Sequence, residues 1–270
     1  MEELRLQAPA KINLHLQVLN KRQDGFHNIS SLFTLIDLCD TLSFKKNKKD
    51  IELIESVPFE NNIVLKAANL IKEYCSVEKG VRIELNKNIP DQKGLGGGSS
   101  DAASTLIGLK KFWGLDISKK ELLDLAIQLG SDVPFFVFGK TAWAKGRGEI
   151  LKEIDYKDRF FLLALPEIKI STKYAFNELS KLKAVTPNRP RPKAVEYYNS
   201  FEGWLRKTKP EADNIFKELE SVGVPRLSGT GSAIFMEYEN LNEAKLAKKR
   251  FPELVLTKSL ERSPLMQIIE

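Results

Sequence analysis

Residues 94–101 read Gly-Leu-Gly-Gly-Gly-Ser-Ser-Asp and run straight into an Ala- and Leu-rich stretch that keeps helical spacing to Trp113. Upstream, residues 81–85 alternate as a short strand that Pro90 closes. Strand, glycines, serines and helix in that order suit an anion. Glycine lets backbone N–H groups approach closely because no Cβ intervenes and positive φ is cheap. The helix that follows aims its free N–H groups and positive dipole end at the same spot. The Ser99 and Ser100 hydroxyls are then placed to cap the helix, bond phosphate oxygens or ligate a magnesium ion. The alternative is a flexible turn with an ordinary serine cap. A Walker loop needs Gly-Lys-Ser/Thr at the helix start, where this chain has Gly98-Ser99-Ser100, and the dinucleotide fingerprint needs glycine where Ser99 stands. Neither fits.

The flanking sequence alternates between strand and helix signals. Residues 10–19 place Ile12, Leu14, Leu16 and Val18 on one strand face and Lys11, Asn13, His15 and Gln17 on the other. Asp24-Gly25 reads as a hairpin turn returning through residues 29–38. Residues 61–74 carry helical spacing at Val64, Ala67, Ala68 and Ile71. Ser118-Lys-Lys-Glu121 is a capping box opening a helix with Leu122, Leu125, Ala126 and Leu129, stopped by Gly130. Ser131-Asp-Val-Pro134 then breaks the chain ahead of an apolar run, 133–138, of strand length. Residues 141–154 read as a hairpin around Gly146-Arg147-Gly148. A composition shift at 155–158 divides the chain into domains 1–157 and 158–270. The second holds a buried strand at 160–165, two helical stretches, a turn into a strand over 226–238, a helix at 242–250 and a strand at 254–258. Mixed elements without strict βαβ alternation make the class α+β.

With 42% apolar and 29% charged residues among 270, the chain can bury a real core. That excludes a disordered tail, a collagen-like repeat and a disulfide-stapled miniprotein. Cys39 and Cys75 are read as buried small hydrophobes in a reducing compartment. No apolar run approaches the roughly 18 residues of a membrane span, and the start resembles neither a signal nor a transit peptide, so the expected location is cytoplasmic with no membrane partner. The net charge of +6 is uneven: residues 1–155 hold 22 Lys and Arg against 21 Asp and Glu, and residues 156–270 hold 20 against 15. That excess fits an anionic ligand and is weak support for nucleic acid, which is not an expected partner. The run Lys45-Lys-Asn-Lys-Lys49 reads as a solvated turn. The acid-free stretch with Lys181, Lys183, Arg189, Arg191 and Lys193 reads as a surface connection rather than a basic flap over a substrate.

Pro90-x-x-x-Gly94-Leu-Gly-Gly-Gly-Ser-Ser-Asp-Ala-Ala103 resembles the ATP-binding loop of the GHMP kinase superfamily, which includes galacto-, homoserine, mevalonate and phosphomevalonate kinases. Ala8-Pro-Ala-Lys-Ile-Asn-Leu14, Asp24-Gly-Phe-His27, Leu129-Gly-Ser-Asp-Val-Pro-Phe-Phe136 and Arg226-Leu-Ser-Gly-Thr-Gly-Ser232 follow in order. The ordered set is similar to the branch acting on a cytidine-diphosphate-linked branched tetritol in the non-mevalonate route to isopentenyl diphosphate. The resemblance implies a two-domain fold: an N-terminal domain like the second domain of ribosomal protein S5 and a ferredoxin-like C-terminal domain. It implies ATP-dependent phosphorylation of one hydroxyl, with Mg2+ or a similar cation and a CDP-linked alcohol as the small-molecule partner. A monomer or weak homodimer is expected.

Carried over motif by motif, the resemblance makes Lys11 and Asp132 catalytic and gives ATP Gly94, Leu95, Gly96, Gly97, Gly98, Ser99 and Ser100, with Ser99 or Ser100 on the metal. Asn13, Phe26, His27, Thr172, Phe176, Gly229 and Thr230 fall to the substrate, Phe26 and Phe176 stacking on cytosine and His27 reading its edge. Tyr174 competes with Phe176 for the stack. Without the resemblance, Lys11 is an exposed strand lysine, Asp132 a helix N-cap, the two phenylalanines core aromatics, and residues 229–231 a tight turn into a strand. The chain departs from the family at Gln92 and Lys93, where small residues or glycines are usual, and Lys93 is placed to add a phosphate contact. It also departs at Ala212-Asp-Asn-Ile-Phe216, where an Asn-Asp-x-Glu-like stretch is common. Two other functions remain open: a GHMP relative using another alcohol, and a non-catalytic basic binding module, which salt-dependent RNA binding would reveal.

Overall fold

The computed structural model describes residues 1–55, 62–156, 158–181 and 197–269. The boundary residue 157, and Lys183, Arg189, Arg191 and Lys193 of the basic stretch, lie outside the described residues. A long hairpin, β1 (Glu3–Lys21) and β2 (His27–Asn47), turns at Gly25. It is followed by β3 (Ile51–Glu55), α1 (Ile63–Tyr74), β4 (Gly80–Asn86), α2 (Gly97–Trp113), α3 (Lys119–Leu129), α4 (Val133–Phe138) and the hairpin β5 (Ala142–Lys145) and β6 (Ile150–Glu153). In the second half come β7 (Phe160–Ala164), α5 (Thr172–Lys181), α6 (Glu202–Thr208), α7 (Pro210–Leu219), β8 (Arg226–Leu227), β9 (Ile234–Tyr238), α8 (Leu241–Arg250), β10 (Val255–Leu260) and α9 (Met266–Ile269).

In the first half, β2 pairs with β1, β4 and β5, and β3 adds to β4 in parallel. The second sheet runs β10-β7-β9-β8, all antiparallel, which is the order of a ferredoxin-like sandwich. β10 serves both sheets: residues 255–258 pair with β7, while Ser259 and Leu260 pair with Ile36 and Leu35 of β2. Between the halves lies a core in which Ile12, Leu14, Leu32 and Ile36 meet Phe161, Leu163 and Phe235. The α+β class and its two-part architecture are as the sequence implied.

Local signals explain the helices that flank the cleft. α3 opens on the Ser118/Glu121 capping box, with both reciprocal hydrogen bonds present. α1 is capped by Asn62 and buries Val64, Ala67, Ala68 and Ile71. α2 runs between two left-handed glycines, Gly96 and Gly114, and is buried continuously from Ser100 to Leu109. Residues 133–138, of strand length in sequence, form a helix instead. Pro134 sits in its first turn, where a missing N–H costs nothing, and Gly139 ends it in the left-handed conformation.

Three other expectations are corrected. In β1 the pairing passes from Asn13↔Phe33 to His15↔Leu32, leaving Leu14 as a β-bulge. An inserted residue reverses which face follows. Lys11 and Asn13 therefore share their face with Leu16, and those three line the cleft. His15 turns the other way and stacks on Trp143 at 5.4 Å. Cys39 and Cys75 are half-buried rather than buried, because one lies where β2 bulges opposite Pro9 and the other is the C-cap of α1. Lys45 and Lys46 belong to β2 rather than a turn and pair with Glu84 and Glu2.

Candidate active site

A cleft of about 990 Å³ opens between the halves, floored by the glycine loop. Gly96 has φ +71°, and a Cβ there would stand 2.9 Å from the Phe136 ζ carbon and 3.1 Å from the γ and ε carbons of Lys11. Gly94 has φ +74°, with the Ser228 carbonyl oxygen 2.2 Å from where a Cβ would go. Only glycine fits either position. Ser100 is the first residue of α2 to bond back, to the Gly96 carbonyl at 2.9 Å. The N–H groups of Gly97, Gly98 and Ser99 precede it in the first turn, which carries no acidic side chain to compete for them.

Lys11 projects from β1 into this floor and is only 3% exposed. Its ammonium donates to Asn13 Oδ1 and lies 3.4 Å from Asp132 Oδ2 and 5.1 Å from the Phe33 ring centre. Burial pushes the Lys11 ammonium below the ordinary lysine range, and Asp132 opposes that shift. Asp132 occupies the N-cap position of α4, but its side chain makes no capping bond. A carboxylate withheld from its own helix and ion-paired to a buried lysine is free for chemistry in the cleft. Asn13 Nδ2 donates to Ser31 Oγ at 2.9 Å, so its oxygen is directed at Lys11.

Phe26 is 48% exposed on the β1–β2 turn, with the Arg147 guanidinium 4.5 Å from its ring centre. The hairpin tip carrying Arg147 is tied to β2 by the Ile29 N–H bonding to the Gly146 carbonyl at 2.7 Å. His27 lies 5.2 Å from Phe176, and its Nε2 is 2.9 Å from Ser180 Oγ. The Ser180 hydroxyl donates to the Phe176 carbonyl, so it accepts from His27 Nε2–H. Burial, helped by Lys21, lowers the His27 pKa, and the neutral ring then presents Nδ1 as an acceptor. Thr172 Oγ1 meets Thr230 Oγ1 at 3.4 Å across the cleft mouth.

Beneath the loop, the Lys87 ammonium bonds Asp40 and, at 2.6 Å, Asp101 of α2. Asp40 also accepts from the Asn88 and Ile89 amides. Burial pushes the Asp101 carboxyl up to about 7, against the pull of Lys87, and its Oδ1 has no hydrogen-bond partner.

Residues 62–140 match the GHMP kinases N-terminal domain family and residues 196–255 the GHMP kinases C-terminal family. A 4-diphosphocytidyl-2-C-methyl-D-erythritol kinase of Psychromonas ingrahamii is 35% identical, covering 99% of this chain and 97% of its own. One of Polynucleobacter necessarius is 40% identical over 87% of this chain and 83% of its own. The crystal structure of a 4-(cytidine 5'-diphospho)-2C-methyl-D-erythritol kinase superposes with a TM-score of 0.80 at 30% identity, covering 95% of this chain and 99% of that one. The chain belongs to the 4-diphosphocytidyl-2-C-methyl-D-erythritol kinases. This kinase shares its fold with a mevalonate kinase crystal structure at TM-score 0.76 and 17% identity, over 96% of this chain and all of that one.

The kinase cleft gathers Lys11, Asn13, Phe26, His27, Gly94, Gly96, Gly97, Gly98, Ser99, Asp132, Thr172, Phe176, Gly229 and Thr230 from the sequence reading. Leu95 and Ser100 lie behind the lining. The Leu95 carbonyl accepts from the Lys11 N–H at 2.9 Å, and the fully buried Ser100 Oγ has no partner. Tyr174 points away and packs on Trp204 at 6.2 Å, which leaves Phe176 on the cleft. Asp213, in the departing Ala212–Phe216 stretch, pairs with Arg206 and Lys217 outside the cleft. Sequence reasoning missed Arg147 and Lys87 as lining residues. Arg147 was legible only as a turn residue, and Lys87 only as a charge at a strand end. No helix among the described residues is long and apolar enough to cross a membrane.

Proposed function

We propose that this ATP-dependent kinase phosphorylates the 2-hydroxyl of 4-diphosphocytidyl-2-C-methyl-D-erythritol, giving the 2-phosphate and ADP. The observation that carries the reading is the Lys11–Asp132 pair at 3.4 Å, set where the glycine floor meets the face holding Phe26, His27 and Phe176. The ATP phosphates lie on the N–H groups of Gly97, Gly98 and Ser99, and the nucleoside extends past Ile63, Ile89 and Pro90. Cytosine stacks on Phe26 and Phe176 with its exocyclic amine donating to His27 Nδ1, and the diphosphate lies beside Gly229 and Thr230. This directs the tetritol hydroxyl toward Asp132.

Phosphoryl transfer is in line, so positioning and charge neutralisation supply most of the rate. The hydroxyl oxygen attacks the γ-phosphorus, the bond to the β-phosphate oxygen breaks, and Asp132 receives the hydroxyl proton. The Lys11 ammonium stabilises negative charge on the moving group. Asn13 holds the ammonium in place. No group of three or more His, Cys, Asp or Glu that could hold a metal occurs among the described residues. Ser99, in the first turn of α2 and lining the cleft, would hold a divalent cation bound with the nucleotide, and that cation would neutralise phosphate charge.

Asp132→Asn tests this directly: it should fold and bind ATP normally while losing most turnover. Lys11→Ala should slow the chemical step by about 10²- to 10³-fold, the loss typical of removing one charge-stabilising donor. Near-wild-type kcat in Asp132→Asn, or a pure KM effect in Lys11→Ala, would remove the assigned roles.

A further inference from the structure

Lys93 stands where the superfamily loop usually carries a small residue, and its side chain does something other than meet phosphate. It is only 8% exposed, and its ammonium donates to the carbonyls of Pro166 and, at 3.1 Å, Ile168. The Ser232 hydroxyl donates to the same Ile168 carbonyl at 2.5 Å. The three carbonyls of residues 93–95 make further ties. The Lys93 carbonyl accepts from the Ala233 N–H at 3.0 Å, that of Gly94 from Ser228 Oγ at 3.0 Å, and that of Leu95 from the catalytic Lys11 N–H. The loop backbone is thus fixed to β1 and to residues 228–233. From the loop itself, the Lys93 side chain extends the tie to residues 166–168, which the Ser232 hydroxyl also holds through Ile168 and, at 3.4 Å, Pro166. Those residues lead through the buried, cleft-lining Ile170 into Thr172 and Phe176 of α5.

We infer that Lys93 is a positioning residue that holds the substrate-binding start of α5 in register with the ATP loop. The inference rests on the functional reading above. The backbone ties keep the loop in place without it, so the nucleotide site survives its loss. With Lys93 gone, the charge-assisted bonds to residues 166–168 are lost and only the neutral Ser232 hydroxyl remains on them. The segment bearing Thr172 and Phe176 therefore shifts relative to the loop, and with it the alignment of the accepting hydroxyl. Losses from such misplacement appear in the chemical step because the reacting atoms must meet within a fraction of an ångström. Burial holds the ammonium below the usual lysine range, consistent with carbonyl rather than carboxylate partners.

Lys93→Met keeps the length and removes the charge and its two bonds, whereas Lys93→Arg keeps charge and donors. With ATP and 4-diphosphocytidyl-2-C-methyl-D-erythritol, Lys93→Met should lose about tenfold in kcat/KM for the alcohol. Its ATP affinity should stay within about twofold of wild type, because the backbone ties that hold the loop remain. Lys93→Arg should recover most of the loss. A rise confined to the KM for ATP would make Lys93 a phosphate ligand and overturn the inference. So would a lower Tm with unchanged kinetics, which marks a merely structural tie, or a loss that Arg does not repair. Absence of wild-type turnover with this alcohol would instead overturn the functional reading beneath it.

Discussion

Substituting Gly96 by alanine perturbs fold and chemistry through one atom. The residue sits at φ +71°, where an L side chain costs about 1–2 kcal/mol, offset by about 0.5–1 kcal/mol from the reduced freedom of the unfolded chain. The new Cβ would overlap the Phe136 ring at 2.9 Å and crowd the Lys11 stem at 3.1 Å, and overpacking of this kind adds about 1–3 kcal/mol. The sum is a destabilisation of roughly 1–4.5 kcal/mol, and each kcal/mol lowers Tm by roughly 2–4 °C in a chain near this size. Crowding the stem also moves the ammonium that lies beside Asp132, so kcat should fall more than the ATP KM rises. Gly98 supplies the control. It lies inside α2 with its nearest neighbour, Ile63 Cγ2, at an ordinary 3.8 Å, so Gly98→Ala should be neutral or stabilising by up to about 1 kcal/mol. Thermal unfolding followed by circular dichroism, with steady-state kinetics on the same samples, reads both. Equal stabilities for the two variants, or a stable and fully active Gly96→Ala, would refute the steric account of the loop.

Three further outcomes follow from other parts of the cleft. Phe26→Ala should raise the KM for the cytidine substrate without altering the ATP KM, and Arg147→Ala should do the same more weakly, since the guanidinium acts through the Phe26 ring; titration with CDP checks both. Gln92 is a non-glycine residue at φ +54°, so Gln92→Gly should stabilise by roughly 0.5–1 kcal/mol, visible as a higher urea midpoint. His27 binds as the neutral ring, and burial holds its pKa below the ordinary value of about 6.5. The KM for the cytidine substrate should therefore be flat from pH 8 down to that value and rise below it, as protonation blocks Nδ1. A rise between pH 8 and 7, or an identical profile in His27→Gln, would contradict the assigned contact.

Elements whose signals are local were legible in the sequence. The Ser118/Glu121 box and the glycines bracketing α2 are set by backbone hydrogen bonding within a few residues. The glycine loop and the Lys11, Asp132 and Phe176 positions were reached through ordered motifs rather than from periodicity. What stayed hidden depends on long-range pairing. The Leu14 bulge exists because β1 must satisfy β2, and no residue in it announces a change of face. Residues 133–138 are apolar on every side because α4 is enclosed, which erases the helical period. Lys93 looks like a loop lysine near phosphate until the chain returns with Pro166 and Ile168 beneath it. Arg147 is a turn residue until Phe26 arrives from the other hairpin.

ADP release by the purified protein with ATP and magnesium tests the central claim most directly. The acceptor panel would hold 4-diphosphocytidyl-2-C-methyl-D-erythritol, mevalonate, homoserine and galactose. The cleft predicts turnover with the cytidine compound alone, abolished in Asp132→Asn while ATP binding persists. Turnover with another acceptor in the panel, or undiminished turnover in Asp132→Asn, would contradict it.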